Sequence, residues 1–497
     1  MRKISAVIIF MALNTIALAQ GLNSTWLLGY NPYPNFLNGR MLIDSNSYTL
    51  TDEYRKMKFQ GTEATISDSA GNFLMSSNGV WIANANNDTM DGGSGLNPGY
   101  FVNSWPDGLV ISYGNILLPF PGSQNKYILF HQTENNPNYP SNILYKSIID
   151  LSFNNGLGKV ITKNDTALQD TLSWGLTACK HGNGRDWWVI AMKDYSDIVF
   201  KLLLTPNGID TSYTQKLNFT SWPDGNVTEL TFSNDGKKFI TATYDNIVSK
   251  NSSVILCDFD RCTGQFSNTQ QKAIVSGSYL FGLAFSATAN YLYTTDAINI
   301  FRINTQTLIV DTVAIYDGFY SPHPWCCATS FISFYLAANG KIYVTTGSST
   351  QHLHVINYPD SANCDVQQHS IDLINYLHLR AVPNHPNYYL GCDTSLGCPC
   401  YAYSSLNEND THDFRFRAYP NPVVNNFVNI GYILPQNKNG VLKFYDINGK
   451  QLYSQGLPPW SNEQSIKLPK LANGVYNLRI ESGGYFISRN IVVMNAN

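Results

Sequence analysis

The sequence predicts an all-β protein, a WD-like seven-bladed β-propeller followed by a small immunoglobulin-like β-sandwich. Three observations predict it: a turn-and-strand signal recurring along most of the chain, an aromatic-rich composition without long helical periodicity, and a second set of short strands after a polar break. Phe232-Ser-Asn-Asp-Gly-Lys-Lys-Phe-Ile-Thr-Ala-Thr-Tyr244 is the fullest copy of the signal. Asn-Asp-Gly supplies residues that tolerate positive φ in a tight turn, and Phe239-Ile-Thr-Ala-Thr-Tyr244 alternates large and small as a pleated, half-buried strand does. Other copies are Ala70-Gly-Asn-Phe73, Gln124-Asn-Lys-Tyr127, Arg185-Asp-Trp187, Ala289-Asn-Tyr291, Gly340-Lys-Ile342 and Pro386-Asn-Tyr388. Copies about fifty residues apart read as propeller blades, each unable to cover its sheet faces until neighbours flank it.

Composition narrows the function classes. Of 497 residues, 43% are hydrophobic and 13% aromatic, enough for a large core, while only 13% are charged and the formal net charge is −3. With no basic surplus to hold a phosphate backbone, nucleic acid is disfavoured as a partner. At the N-terminus, Arg2-Lys3 precede an apolar run from Ala6 to Ala19 that ends Ala17-Leu-Ala19 before Gln20. Charged region, apolar region and small-x-small site predict a signal peptide over 1–19, cleaved between Ala19 and Gln20. The run is too short and too interrupted to span ~30 Å of hydrocarbon, so no transmembrane anchor is expected in the mature chain.

Nine cysteines suit export into an oxidising space. Cys257 and Cys262 bracket a strand-to-turn junction and are the expected local disulfide. Cys392, Cys398 and Cys400 cluster after the last repeat, where a cross-link would lock the end of the propeller. No CxxC pair or zinc-ribbon spacing is present, so a metal role for these thiols is not expected.

Taken in order, the propeller is expected over 20–396, with N-terminal strands completing the blade that the last copy leaves short and so removing an open edge. A polar linker follows over 397–417. Within 418–497, Val441-Leu-Lys-Phe-Tyr-Asp-Ile447 and Lys450-Gln-Leu-Tyr453 flank Asn448-Gly449, a pair suited to a type I′ hairpin turn. Leu471-Ala-Asn-Gly-Val-Tyr-Asn-Leu-Arg-Ile480 puts Tyr476, Leu478 and Ile480 on one face, and Ile491-Val-Val-Met494 supplies a last strand.

Tyr419-Pro420-Asn421-Pro422, the Asp-Ile-Asn-Gly449 turn, Leu471-Ala-Asn-Gly474-Val-Tyr476 and the terminal Ile491-Val-Val strand, in that order at the C-terminus, resemble the type A C-terminal sorting domain of the type IX secretion system of Bacteroidetes. One departure is Arg489, where a Lys is common; the charge is kept. The resemblance implies passage across the inner membrane by the signal peptide, then handling by the type IX machinery, cleavage of the tail, and release or display at the cell surface. Pairs of Asp with Ser or Thr before an apolar residue, at Asp68-Ser69, Asp88-Thr89, Asp165-Thr166, Asp170-Thr171, Asp311-Thr312 and Asp360-Ser361, resemble the O-glycosylation acceptor of exported Bacteroidetes proteins and also suit turn-to-strand junctions.

The search for chemistry names no catalytic residue, cofactor or metal-ligand set. His323-Pro-Trp-Cys326-Cys327 lacks an identifiable orienting Asn or Asp for a cysteine nucleophile. His352 and His354 share a strand face as two metal ligands would, with no third ligand to name. Asn84-Ala-Asn-Asn-Asp88 departs from the calcium-loop pattern and suits an Asx turn. Trp105 and Trp222, in two copies of Ser-Trp-Pro-Asp-Gly, suit packing between blades before sugar stacking. The expected function is a secreted or cell-surface binding propeller for an extracellular protein or glycan. An extracellular hydrolase or lyase acting at the channel mouth is the alternative, and a structural or adhesive surface component the third reading.

Overall fold

The computed structural model describes residues 21–30, 37–134, 142–220, 229–244, 251–322, 327–373, 375–400, 415–424, 427–434, 439–447, 449–458, 463–469, 471–482 and 485–493. The chain divides into two compact units, one within Gln20–Tyr401 and the other within Ala402–Asn497. Both are built almost wholly of β-strands.

In the first unit, seven successive meanders can be followed among the described residues, here called sheets 1 to 7. Their first strands are Thr25–Leu28, Ala64–Ser67, Asn115–Pro119, Thr177–Lys180, Leu230–Phe232, Phe281–Phe285 and Phe331–Leu336. Sheet 1 has three strands, and the others have four in sequence order. A single parallel bridge between Asp91 and Lys159 joins sheets 2 and 3 into one eight-stranded sheet, whose two end strands also approach each other, so that it nearly closes.

Six copies of the turn-and-strand signal open the second strands of sheets 2 to 7: Phe73–Ser77, Lys126–Thr133, Trp187–Met192, Lys238–Tyr244, Tyr291–Thr295 and Ile342–Thr346. Alternation predicts half-buried strands there, yet Phe239 to Tyr244 and all of Trp187–Met192 are buried. Neighbouring sheets cover both faces, so the small residues Thr241 and Ala242 are packed as firmly as Phe239.

The first strands also set how the sheets associate. They touch in the pairs 1 with 2, 2 with 3, 4 with 5, 5 with 6 and 6 with 7. Sheets 3 and 4 share a core containing Leu117, Leu129, Leu176 and Trp187. Sheet 7 packs back on sheet 1, where Trp26 and Met41 meet Tyr335, Tyr343 and Val355. The series therefore closes, and its first strands enclose a central space.

The seventh copy of the signal behaves differently from the sequence expectation. Pro386-Asn-Tyr388 forms no strand, and sheet 1 is built from Thr25–Leu28, Asn38–Ile43 and Tyr48–Glu53 alone. Residues 377–390 instead run through the central space. Asn384 Nδ2 donates to the carbonyls of Leu176 (2.7 Å) and Tyr113 (3.3 Å), the Tyr388 hydroxyl to Leu117 (2.9 Å), and Asn387 Nδ2 to Asn234 (2.6 Å). Arg380 donates to the Val110 carbonyl at 3.0 Å, and the Tyr30 amide donates to the Leu377 carbonyl at 2.8 Å. Proline at 383 and 386 cannot donate to a ladder, so side chains and loops carry the bonding.

Disulfides hold the end of this axial segment. The expected Cys257–Cys262 bridge does not form: Cys257 is fully buried in the core between sheets 4 and 5 as a free thiol, while Cys262 lies in the turn beyond and bonds Cys398. Cys392 bonds Cys400.

In the second unit, seven strands share one core. Val428, Ile430 and Tyr432 face Leu442, Phe444, Leu478, Ile480, Ile491 and Val493, as alternation along each strand requires.

Removing the Asn384 amide takes a hydrogen-bond donor from the buried Leu176 carbonyl, while the Tyr113 carbonyl keeps the Leu176 amide, so Asn384→Ala should lower unfolding stability by roughly 1–3 kcal/mol. Urea denaturation at equilibrium checks this; an unchanged midpoint contradicts the role assigned to the axial segment.

Candidate functional site

Where the axial segment does not fill the central space, a cavity of about 190 Å³ remains against sheets 4 to 7. The turns joining first to second strands in sheets 5, 6 and 7 stand at its mouth. Each is closed by the same backbone bond: Gly236 N–H to Ser233 O (2.8 Å), Ala289 N–H to Ser286 O (2.9 Å) and Gly340 N–H to Ala337 O (2.9 Å). Gly236 adopts φ +71, and a Cβ there would lie 2.6 Å from the Cys179 sulfur, so glycine is required twice over. The Ser233 hydroxyl accepts from the Lys238 amide at 2.9 Å and Ser286 accepts from Tyr291 at 3.2 Å, which gives the repeated serine its purpose.

The polar lining is amide, hydroxyl, thiol and imidazole, and includes Asn23, Thr177, Asn234, Asn384, His385 and Asn387. Among the described residues no Asp, Glu, Lys or Arg lines the cavity. His385 is positioned by two sheets, with Nε2 3.0 Å from the Thr65 carbonyl and Nδ1 2.9 Å from the Tyr335 hydroxyl. The neutral tautomer that donates to Thr65 and accepts from Tyr335 satisfies both nitrogens, and burial pushes the imidazole pKa down to about 4. Burial likewise pushes the Cys179 thiol up to about 12 and raises the Tyr335 phenol. These three titratable groups of the lining are therefore neutral near pH 7.

Two carboxyls lie behind the lining without reaching it. Glu229 Oε2 accepts from the Leu283 amide at 2.7 Å, and Glu63 Oε1 from the Leu27 amide at 3.2 Å. Burial pushes each up to about 8, against the nearby charges of Arg380 and Arg55 respectively. Both favour the protonated, hydrogen-bonding form and serve packing.

The residues singled out in the sequence fall elsewhere. His354 is buried and its Nδ1 accepts from the His369 amide at 2.8 Å, while His352 stands edge-on to Phe319. Among the described residues no group of three His, Cys, Asp or Glu side chains is placed to hold a metal ion. Asn84 Oδ1 accepts from the Asn86 and Asp88 amides, as an Asx turn does. Trp105 caps the short helix Tyr100–Ser104 and is 38% exposed. His323 to Cys326, Trp222, Asn448, and the expected cleavage site at Ala19 and Gln20 lie outside the described residues. Thr89, Thr166 and Thr312 are exposed on the last strands of sheets 2, 3 and 6, whereas Asp68 caps its own turn through the Ala70 and Asn72 amides.

The tail motifs act as internal fasteners of the second unit. Tyr419, Pro420, Asn421 and Pro422 belong to the strand Arg415–Val424, and Asn421 Oδ1 accepts from the Val492 amide on the last strand at 2.8 Å. Gly449 takes φ +79 in the turn closed by its N–H on Asp446 O. Gly474 begins a strand in which Tyr476 stacks on Phe444 at 5.3 Å and donates to the Ala472 carbonyl.

Residues 417–494 match the family model of the secretion system C-terminal sorting domain. The chain thus carries the tail that directs export by type IX secretion to the cell surface or extracellular space. No helix among the described residues is long and apolar enough to cross a membrane. Among curated proteins none matches the sequence.

Three similar solved structures are a protein assigned as a 6-phosphogluconolactonase from Bacteroides uniformis, the periplasmic gluconolactonase of Pseudomonas aeruginosa and a catalytically inactive variant of virginiamycin B lyase from Staphylococcus aureus with quinupristin. The first is 12% identical, with TM-score 0.46, over 72% of this chain and 98% of that one. The second is 13% identical, with TM-score 0.30, over 55% and 89%, and the third 11% identical, with TM-score 0.35, over 71% and 90%. Likeness at this level names neither a substrate nor a reaction for this chain.

The buried carboxyls predict a signed pH effect. With its folded pKa raised from 4.5 to about 8, Glu229 contributes stability that is present below pH 4.5 and lost as pH rises through 8. Thermal unfolding followed from pH 5 to 9 should show this decline, and Glu229→Gln, which mimics the protonated acid, should make it shallower while leaving the share that Glu63 contributes. An identical slope in the variant refutes the burial assigned to this carboxyl.

Proposed function

We propose that this chain is an exported seven-bladed β-propeller that binds an extracellular glycan or protein through the depression beside its axial segment. On this reading residues 1–19 are a signal peptide cleaved between Ala19 and Gln20, 20–396 the propeller, 397–417 a linker, and 418–497 a sorting domain built as an immunoglobulin-like sandwich. The closed series of sheets, each packed through its first strand, supports the blades. Alternating residues converging on one core from seven strands support the sandwich.

One observation carries the binding reading: the central space is taken up by residues 377–390, and the cavity left beside them presents hydrogen-bonding groups without a charged acid or base among the described residues. General acid–base catalysis needs a group that changes protonation near the working pH within reach of substrate. His385, with both nitrogens engaged and its pKa near 4, does not meet that need. A hydrolase or lyase is the second reading, favoured by Glu63 and Glu229, whose pKa values near 8 fall in the range catalytic acids use. Their burial behind the lining counts against it.

Presenting the purified chain to arrays of glycans and extracellular proteins, alongside generic glycosidase, esterase and lactone substrates, separates the two. Saturable binding without turnover is expected. Turnover abolished by Glu63→Gln or Glu229→Gln overturns the binding reading in favour of the enzyme.

A further inference from the structure

We infer that the depression beside the axial segment is a site for one uncharged, polyhydroxylated unit, a neutral sugar residue at the end of a glycan; this rests on the binding reading above. Three features of the cavity lead there.

The first is charge. The lining has no Asp, Glu, Lys or Arg among the described residues, although the chain carries 67 such side chains in all, 32 basic and 35 acidic. His385, Cys179 and Tyr335 are each held in the neutral form by the geometry around them: the imidazole between the Thr65 carbonyl and the Tyr335 hydroxyl, the thiol against Gly236, the phenol against His385. A carboxylate or phosphate brought into such a place leaves its hydration shell and meets no cation in the lining, since Arg261 behind Cys179 is committed to the carbonyls of Lys180 and Gly391. That is a large penalty for any buried ion. A neutral ligand incurs none of it.

The second is the kind of hydrogen bond on offer. The amide of Asn234 and the hydroxyl of Thr177 bring donor and acceptor capacity to the space. Hydroxyl groups on adjacent ring carbons also donate and accept. A site whose polar groups expect such partners discriminates against ligands lacking them, because the site groups are then left unpaired. The half-buried Asn234 and Asn387 at the mouth are fixed to each other through Asn387 Nδ2, which donates to Asn234 Oδ1 at 3.0 Å, so these two amides are set before a ligand arrives.

The third is size. About 190 Å³ is well below the several hundred Å³ of pockets that enclose drug-sized ligands. One pyranose ring suits it, and a longer oligosaccharide would extend outward past Ala287 and Ala338. Phe232 and Tyr335 bring apolar ring surface to the same lining, which the C–H faces of a sugar can cover.

The test uses the full purified chain and matched pairs of probes: methyl glucoside against glucuronate and glucose 6-phosphate, methyl galactoside against galacturonate, and N-acetylglucosamine, each alone and as short oligomers. Ligand-detected NMR and calorimetry read binding. At least one neutral sugar should bind saturably, with its acidic counterpart weaker by tenfold or more. Ala287→Trp, which puts a large ring at the mouth, should abolish that binding while leaving the thermal midpoint within a few degrees; Ala338→Trp does the same from the neighbouring turn should the first variant fold poorly. Equal or tighter binding of the acids, or sugar binding that survives both substitutions, overturns the inference while leaving the binding reading intact. No binding by any sugar also overturns it, and only a chain that binds nothing on glycan and protein arrays brings down the binding reading with it.

Discussion

Irregular backbone placed in an enclosed space must find partners for every N–H and C=O, because no water is there to supply them. Backbone groups of residues 377–390 meet that demand on Tyr30, Thr350 and Glu63, and their side chains tie the segment to sheet after sheet: Tyr335 in sheet 7, Gly29 beside sheet 1, Thr65 in sheet 2, Leu117 in sheet 3, Leu176 beside sheet 4 and Asn234 beside sheet 5. Ordering the segment and closing the series of sheets thus become one cooperative step. The Cys262–Cys398 bond, with a sequence separation of 136, secures the far end. In the chain-entropy account a loop of that length contributes about 5 kcal/mol, more than the eight-residue separation of Cys392–Cys400 allows.

The same segment determines what chemistry is left. It brings the imidazoles of His378 and His385 into the interior but commits them to structural bonds, His378 Nε2 donating to the Ala381 carbonyl at 2.7 Å. Burial holds both near pKa 4, so they stay neutral at ordinary pH. The free space beside the segment inherits that neutrality. The sorting tail directs the chain that carries this space to the cell surface or extracellular space.

Much of the fold could be read from the sequence because its signals are local. Ser-Asn-Asp-Gly turns and the aromatic strands after them are fixed by φ preference and alternation within a dozen residues, and six of seven copies open strands where the pattern places them. Pro386-Asn-Tyr388 imitates the signal, but tertiary bonding decides its fate: Pro383 and Pro386 bar a ladder, and Asn384 and Asn387 find partners more than 150 positions away. Those two prolines were the one clue in the sequence. The cysteine pairing failed for a similar reason, since nearness in sequence said nothing of Cys257 pointing into the core between sheets 4 and 5. The cavity was invisible beforehand, being made of residues from four sheets and the axial segment. The tail was legible because Asn421, Gly449 and Tyr476 sit in short contiguous motifs and each serves a structural need inside one small unit.

Amide hydrogen exchange of the segment 377–390 in the intact chain addresses the central claim most directly. If the segment is the lock of the closed series, its protected amides, such as His378 on the Thr350 carbonyl, should exchange only with global unfolding, at the same free energy as the buried strand Trp187–Met192. Exchange that is fast, or that proceeds by a separate opening while Trp187–Met192 stays protected, would show that the sheets close without it.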